Sequence, residues 1–191
     1  MRGGVSSPTA LIVLSRDAAA IYRVTTLAST ARRTFLLQRV QPSLSGLIDG
    51  SLSSLAPIFA VALATRNPHY AFVAGLATAL GAAISMAFSE GLSDTGEVTE
   101  RGSPWARGAI VGGGTFLGGI LHTLPFLLPS FGAAMGAALL VVLVELVALA
   151  WTRHRFFDVP FRSSLASVVL GGVLIAAVSA GIGGVLGQST S

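Results

Sequence analysis

Apolar residues in this chain come in long runs rather than in strand-like alternation. From Leu44 onward, five stretches hold almost only apolar and small residues: about Leu44–Thr65, Tyr70–Glu90, Ala106–Leu128, Phe131–Trp151 and Ser163–Leu186. Each is near the roughly 20 residues that a helix needs to cross the hydrocarbon core of a bilayer. The joins between them are short. Arg66–His69 contains an Asn-Pro breaker, and a second turn begins at Pro129. The longest join, Gly91–Trp105, is the only acidic loop and carries Asp94, Glu97 and Glu100. The pattern predicts an all-α membrane protein of five transmembrane helices, with residues 42–191 as one domain behind a basic leader, residues 1–41.

The leader gives two readings. Its apolar segment Thr9–Leu14 is too short for a signal-peptide core and is cut off by Arg16 and Asp17. From Asp17 to Val40 the chain reads either as a helix lying on the membrane surface or as a partly disordered basic segment. Arg23, Arg32, Arg33 and Arg39 do not fall on one clean face.

Composition supports the membrane assignment. Of the 191 residues, 52% are hydrophobic and 10% charged, and mean hydropathy is +0.77. A soluble domain carries about 25% charge. The absence of cysteine excludes disulfides and thiolate metal sites. All 12 basic residues are arginine, and the net charge is +4. These arginines are scattered around apolar runs, so they fit topology signals and not a nucleic-acid-binding face. With the N-terminus in the cytoplasm, eleven arginines lie inside and Arg66 alone outside. The positive-inside bias therefore predicts N-in, C-out. Gly46–Gly50, Gly114–Gly118, Gly132–Gly136 and Gly183–Gly187 have GxxxG spacing, which lets helices approach closely and suits a tight bundle or a dimer.

Candidate chemistry sits where polar groups interrupt the runs. Asp49 lies about one turn inside the first, with Ser53 at i+4 on the same face. Pro57 has no N–H for the Ser53 carbonyl, which leaves that oxygen free. A carboxylate, hydroxyls and a spare carbonyl suit a hard or borderline divalent cation; otherwise Asp49 caps the helix near the interface. In the second run Met86 and Glu90 are also at i and i+4. A thioether above a carboxylate favours a transition metal, though methionine also serves as core filler and Glu90 as a solvated interfacial acid. If the helix continues, Asp94, Glu97 and Glu100 extend the stripe and gather cations at its mouth.

His122, three residues before Pro125, is a metal ligand, a proton relay or a satisfied packing residue. Glu145, in the middle of the fourth run, is a proton-relay candidate or a partner for His122. Enzyme signatures are lacking. No Ser/His or Asp/Asp pair has a recognisable catalytic spacing, and no HExxH occurs.

These residues resemble the vacuolar iron transporter family. The likeness rests on DGSLSSLAP (Asp49–Pro57), on GLATALGAAISMAFSEGLS (Gly75–Ser93) and on the third run ending in LPFLLP, and it covers about Leu44–Leu186. It is nearest to bacterial membrane domains of that family, which implies a bacterial inner (plasma) membrane location. It implies a homodimer of five-helix protomers with a pathway between subunits, lined mainly by the first spans. That pathway exports Fe2+ or Mn2+ from the cytosol, by proton antiport. The family's pore acid falls on Asp49, and its methionine and glutamate on Met86 and Glu90. The metal is substrate, and no cofactor is implied.

The chain departs from the family in two places. The glutamate-rich cytoplasmic domain that eukaryotic members insert between spans 2 and 3 is reduced to Gly91–Trp105, with Asp94, Glu97 and Glu100 as its remnant. No ferritin-like domain precedes the first span, since the first 40 residues lack glutamate and histidine. A separate iron-storage or delivery protein is then the expected partner. The alternative to transport is a membrane assembly or regulatory subunit held by its glycine-rich helices.

Overall fold

The computed structural model describes residues 26–93, 95–97, 99 and 101–188, and among them every regular element is helical. The first apolar run is the C-terminal part of a 40-residue helical rod, Thr26–Thr65. The boundary expected at residue 41 is therefore not a break. Residues 26–35 continue the helix with their side chains exposed, and the rest of the leader lies outside the described residues.

Two prolines articulate this rod. Pro42 has no N–H to give to Gln38 and its ring crowds that carbonyl. The backbone answers with one wide π-turn, Leu36–Val40, closed by the Gln41 N–H on the Leu36 carbonyl. Pro57 does the same to Ser53, and the helix is interrupted at Ser54. We label the two segments beyond the π-turn α1 (Gln41–Ser53) and α2 (Leu55–Thr65).

The remaining helices are α3 (Pro68–Ser93), α4 (Pro104–Leu121), α5 (Phe131–Phe157) and α6 (Phe161–Gln188). The turn into α3 follows its sequence closely. Arg66 takes the left-handed conformation that closes α2, with its N–H on the Ala62 carbonyl. Asn67 Oδ1 then accepts from the His69 N–H at 2.9 Å, an N-cap with proline at the first helical position. Among the described residues, four helical segments are long and apolar enough to cross a membrane: Thr26–Thr65, Pro68–Ser93, Phe131–Phe157 and Phe161–Gly183.

The third apolar run differs from its expected form. It is not one helix over Ala106–Leu128: α4 stops at Leu121, and a 3-10 turn, Leu124–Leu127, follows. Pro125 explains the stop, because it cannot donate to the Leu121 carbonyl. With 18 residues, α4 reaches about 27 Å. Its sequence is rich in glycine and carries Arg107, so it is not among the four strongly apolar helices.

Glycine seats α4 tightly between α1 and α3. It packs most closely against α3 and α1. A Cβ added to Gly46 would lie 2.1 Å from the Val111 carbonyl oxygen, and one on Gly50 would lie 2.0 Å from that of Thr115. From the other side Gly114 abuts Ser43 and Gly46, and Gly118 abuts Leu47 and Ser51. Two GxxxG pairs thus interlock within one chain. Gly108 and Gly112 give α3 the same access at Ala83 and Ala87. Gly132 and Gly136, by contrast, meet nothing.

The apolar core has two parts. Leu55, Ile58, Phe59 and Ala62 of α2 pack on Ala71, Phe126, Ala134 and Ala138. Leu44 of α1 meets Leu146, Leu149 and Val168. Many other large apolar side chains lie outside these clusters. Ile84 and Phe88 on α3, Leu140 and Val144 on α5, and Leu170 and Leu174 on α6 are all more than half exposed. An outer surface of this kind is stable against lipid and not against water.

Candidate functional site

The polar residues of the membrane helices fall into three groups. The first is a stripe on α1. Gln41, Ser45 and Ser53 are exposed and Asp49 is half-buried. Spaced by four residues, they follow one face of the helix, drifting slowly around it. Gly46 and Gly50 occupy the neighbouring face and seat α4. The stripe is therefore the side of α1 that the other described helices leave uncovered.

The second group lies between α3 and α4. Arg107, in the first turn of α4, is 1% exposed. Its Nε donates to Glu90 Oε1 at 2.7 Å, and a terminal guanidinium nitrogen donates to the Gly102 carbonyl at 3.1 Å. Arg101 approaches the same carboxylate oxygen at 2.8 Å. Glu90 is thus neither a bare acid nor a solvated one. Two arginines neutralise it, and it ties the loop after α3 to α4. That loop is tight: Gly96 and Gly102 both have positive φ, and a Cβ on Gly96 would strike the Gly102 carbonyl. Met86 is half-buried, one turn before Glu90, and Glu97 is exposed. Asp94 and Glu100 lie outside the described residues. Among the described residues no three histidines or acids converge closely enough to hold a metal ion.

The third group is fully internal. His122, in the turn after α4, is completely buried, as is Ser54 at the α1–α2 joint. His122 Nε2 is 3.0 Å from Ser54 Oγ. Its Nδ1 is 3.0 Å from Glu145 Oε2, and the Glu145 side chain is 10% exposed. Ser54 Oγ in turn donates to the Gly50 carbonyl of its own helix, a bond that serine commonly makes within membrane helices and that bends them. The arrangement has the order of a Ser-His-Glu triad, but Ser54 and His122 are sealed in the bundle. A substrate carbonyl has no approach to Ser54 Oγ, so the array does not meet the geometry of acyl transfer.

Of the two readings that the sequence left for Glu145, the pairing with His122 is present. Two residues with large roles were not singled out by sequence. Arg107 looked like a topology arginine, although its place inside an apolar run was a signal. Ser54 looked like one of several hydroxyls near Asp49. Its link to His122 spans 68 positions, and no spacing rule reaches that far. Compared with known proteins, the chain matches no protein-family model, no curated protein and no solved structure.

Proposed function

We propose that the protein is a divalent-cation transporter of the bacterial inner membrane, with five spans, its N-terminus in the cytosol and its working form a homodimer joined along α1. The cargo is Fe2+ or Mn2+, carried out of the cytosol in exchange for protons. The observation that carries this reading is the uncovered stripe Gln41, Ser45, Asp49, Ser53. Hydrocarbon cannot hydrogen-bond these groups, and a carboxylate at membrane depth is retained where it serves a pathway. A second copy related by a twofold axis would cover the stripe with itself. Two Asp49 carboxylates would then face one path and match the charge of one divalent cation, with serine hydroxyls on either side.

The ion pairs at Glu90 support a role for the α3–α4 end as a structural clasp at the cytosolic mouth. The short-helix character of α4 is compatible with a span, because Leu124–Leu127 extends its reach and its glycines bring it between its neighbours. The resemblance in Asp49–Pro57 and Gly75–Ser93 points to the same class of cargo.

The test is metal flux into or out of proteoliposomes holding the full chain, with Fe2+ under anaerobic conditions or with Mn2+. Asp49→Asn keeps size and hydrogen bonding but removes the charge. It should abolish flux while the protein stays folded. Flux equal to wild type in Asp49→Asn would overturn the assignment of the site, and no flux in the wild type would favour an assembly or regulatory subunit.

A further inference from the structure

The internal group Ser54, His122 and Glu145 can be read one proton at a time. Ser54 has a single hydroxyl proton, and it is committed to the Gly50 carbonyl. The contact between Ser54 Oγ and His122 Nε2 must then take its proton from the ring, so Nε2 is protonated. At the other ring nitrogen, one proton must lie between Nδ1 and Glu145 Oε2. Two forms satisfy this: an imidazolium beside a carboxylate, or a neutral ring beside a carboxylic acid. They hold the same number of protons and have no net charge.

The second carboxyl oxygen decides between them. Glu145 Oε1 is buried and has no hydrogen-bond partner among the described residues. An ionised carboxylate would leave half of its charge on that oxygen without a donor, which is the costly case in a low-dielectric interior. A neutral acid leaves only a carbonyl oxygen there. Among the described residues no other charge compensates a carboxylate at this point. α3 brings Gly75 and Ala79, and its titratable residues, His69, Tyr70 and Glu90, lie toward its ends. Arg107 is at the far end of α4, and the remaining basic residues of α5 fall in its last turns. α6 has no titratable side chain after Arg162. Asp49 of α1 points about 140° around the helix from Ser54.

We infer that Glu145, His122 and Ser54 form a proton-binding site, loaded in this structure, in which Glu145 is a neutral acid and His122 a neutral ring protonated at Nε2. All donors then run one way: Glu145 to His122, His122 to Ser54, Ser54 to the Gly50 carbonyl. The site is built to reverse. Glu145 passes its proton to Nδ1, and Nε2 gives up its own proton to water in a conformation that opens the joint at Ser54, which is sealed in this one. The unit goes from neutral to one negative charge, with Nδ1–H now facing the carboxylate. Nε2 has become an acceptor, so the Ser54 hydroxyl turns toward it and leaves Gly50. A proton lost here therefore changes the backbone bonding of the same helix that carries Asp49. Resting on the transport reading, the exchange follows: the unloaded, negative site favours a cation at Asp49, and the loaded, neutral site favours its release.

Infrared difference spectroscopy on the full chain in lipid tests the proton directly. Near neutral pH, wild type minus Glu145→Gln should show the stretch of a protonated carboxyl. Ser54→Ala should keep that band, because the acid and its bond to His122 remain. A difference spectrum with only carboxylate bands would overturn the inference. Nitrogen NMR of labelled histidine, assigned with His122→Gln, should show a neutral ring protonated at Nε2, and an imidazolium would equally overturn it. This second measurement does not depend on Glu145→Gln and stands if that variant does not fold. In Mn2+ flux, the wild type should respond to an imposed pH gradient and Glu145→Gln should not; a retained response would overturn the site's part in exchange. If the wild type carries no metal, the transport reading falls, and the two spectroscopic results still decide the proton site.

Discussion

Gly50→Ala is the sharpest test of how this bundle is held together. In an isolated helix the change would be favourable, since alanine is preferred to glycine by about 1 kcal/mol. In the bundle, the new Cβ would lie 2.0 Å from the Thr115 carbonyl oxygen, 2.7 Å from its carbon and 2.8 Å from its Cα, where ordinary contact begins at 3.4 Å. All three atoms are backbone, so no side chain can swing aside. α4 must retreat by more than an ångström, and in doing so it loosens the reciprocal contacts of Gly114 and Gly118 on α1. Overpacking costs about 1–3 kcal/mol where side chains can give way; rigid backbone puts this case at the upper end, and with about 1 kcal/mol offset by helix propensity the net effect should be a loss of about 2 kcal/mol. Gly136→Ala is the matched control. It is also helical, but its Cβ would meet nothing, so it should be neutral or gain up to about 1 kcal/mol. Thermal unfolding in detergent, followed by fluorescence size-exclusion chromatography, should separate the two melting points by on the order of 5–10 °C, taking about 2–4 °C per kcal/mol for a chain of this size. Equal melting points would refute the claim that the α1–α4 contact is set by backbone approach.

Three further outcomes follow from named contacts. Arg107→Met should destabilise the protein by about 3 kcal/mol, because it takes a buried cation from Glu90; Arg107→Lys should recover little, since lysine lacks the planar fork that sends Nε to Glu90 and a terminal nitrogen to the Gly102 carbonyl. Denaturation of the three proteins side by side ranks them, and a wild-type midpoint for Arg107→Met would contradict the pairing. Asn67→Ala should cost about 1 kcal/mol by removing the cap on the His69 N–H, read as a small fall in melting temperature. The chain has no cysteine, so single cysteines report proximity cleanly: Ser45→Cys and Ser53→Cys should cross-link two copies in native membranes, whereas Leu140→Cys on the outer face of α5 should not.

Much of this molecule was legible along the chain. Of the five apolar runs, four form helices long and apolar enough to cross a membrane, because length and composition alone decide whether a segment can satisfy its backbone in lipid. Asn67-Pro68 marked the turn into α3, since its chemistry is local. The common face of Asp49 and Ser53 was also readable, because helical periodicity is a property of neighbours in sequence. Pro42 and Pro125 stood in the sequence unread, the third run being carried through to Leu128, although a π-turn and an early end to α4 follow from one missing N–H each.

The tertiary structure decided the rest. These helices are apolar on nearly every side, so periodicity does not say which face turns inward. In lipid the choice falls to the small residues that let backbones touch, and Gly46, Gly50, Gly114 and Gly118 make it only when α1 and α4 are brought together. That contact sets the axial offset between helices, and the offset sets which polar groups meet. Glu90 therefore finds Arg107 and Arg101, and His122 finds both Ser54 and Glu145. Asp49, on the opposite side of the same helix, is left facing outward. Sequence alone named Asp49, Glu90, His122 and Glu145 as polar groups out of place. Only the packing of α4 against its neighbours divided them into a clasp, a proton site and an uncovered stripe, because each depends on distances between helices that no spacing along one helix contains.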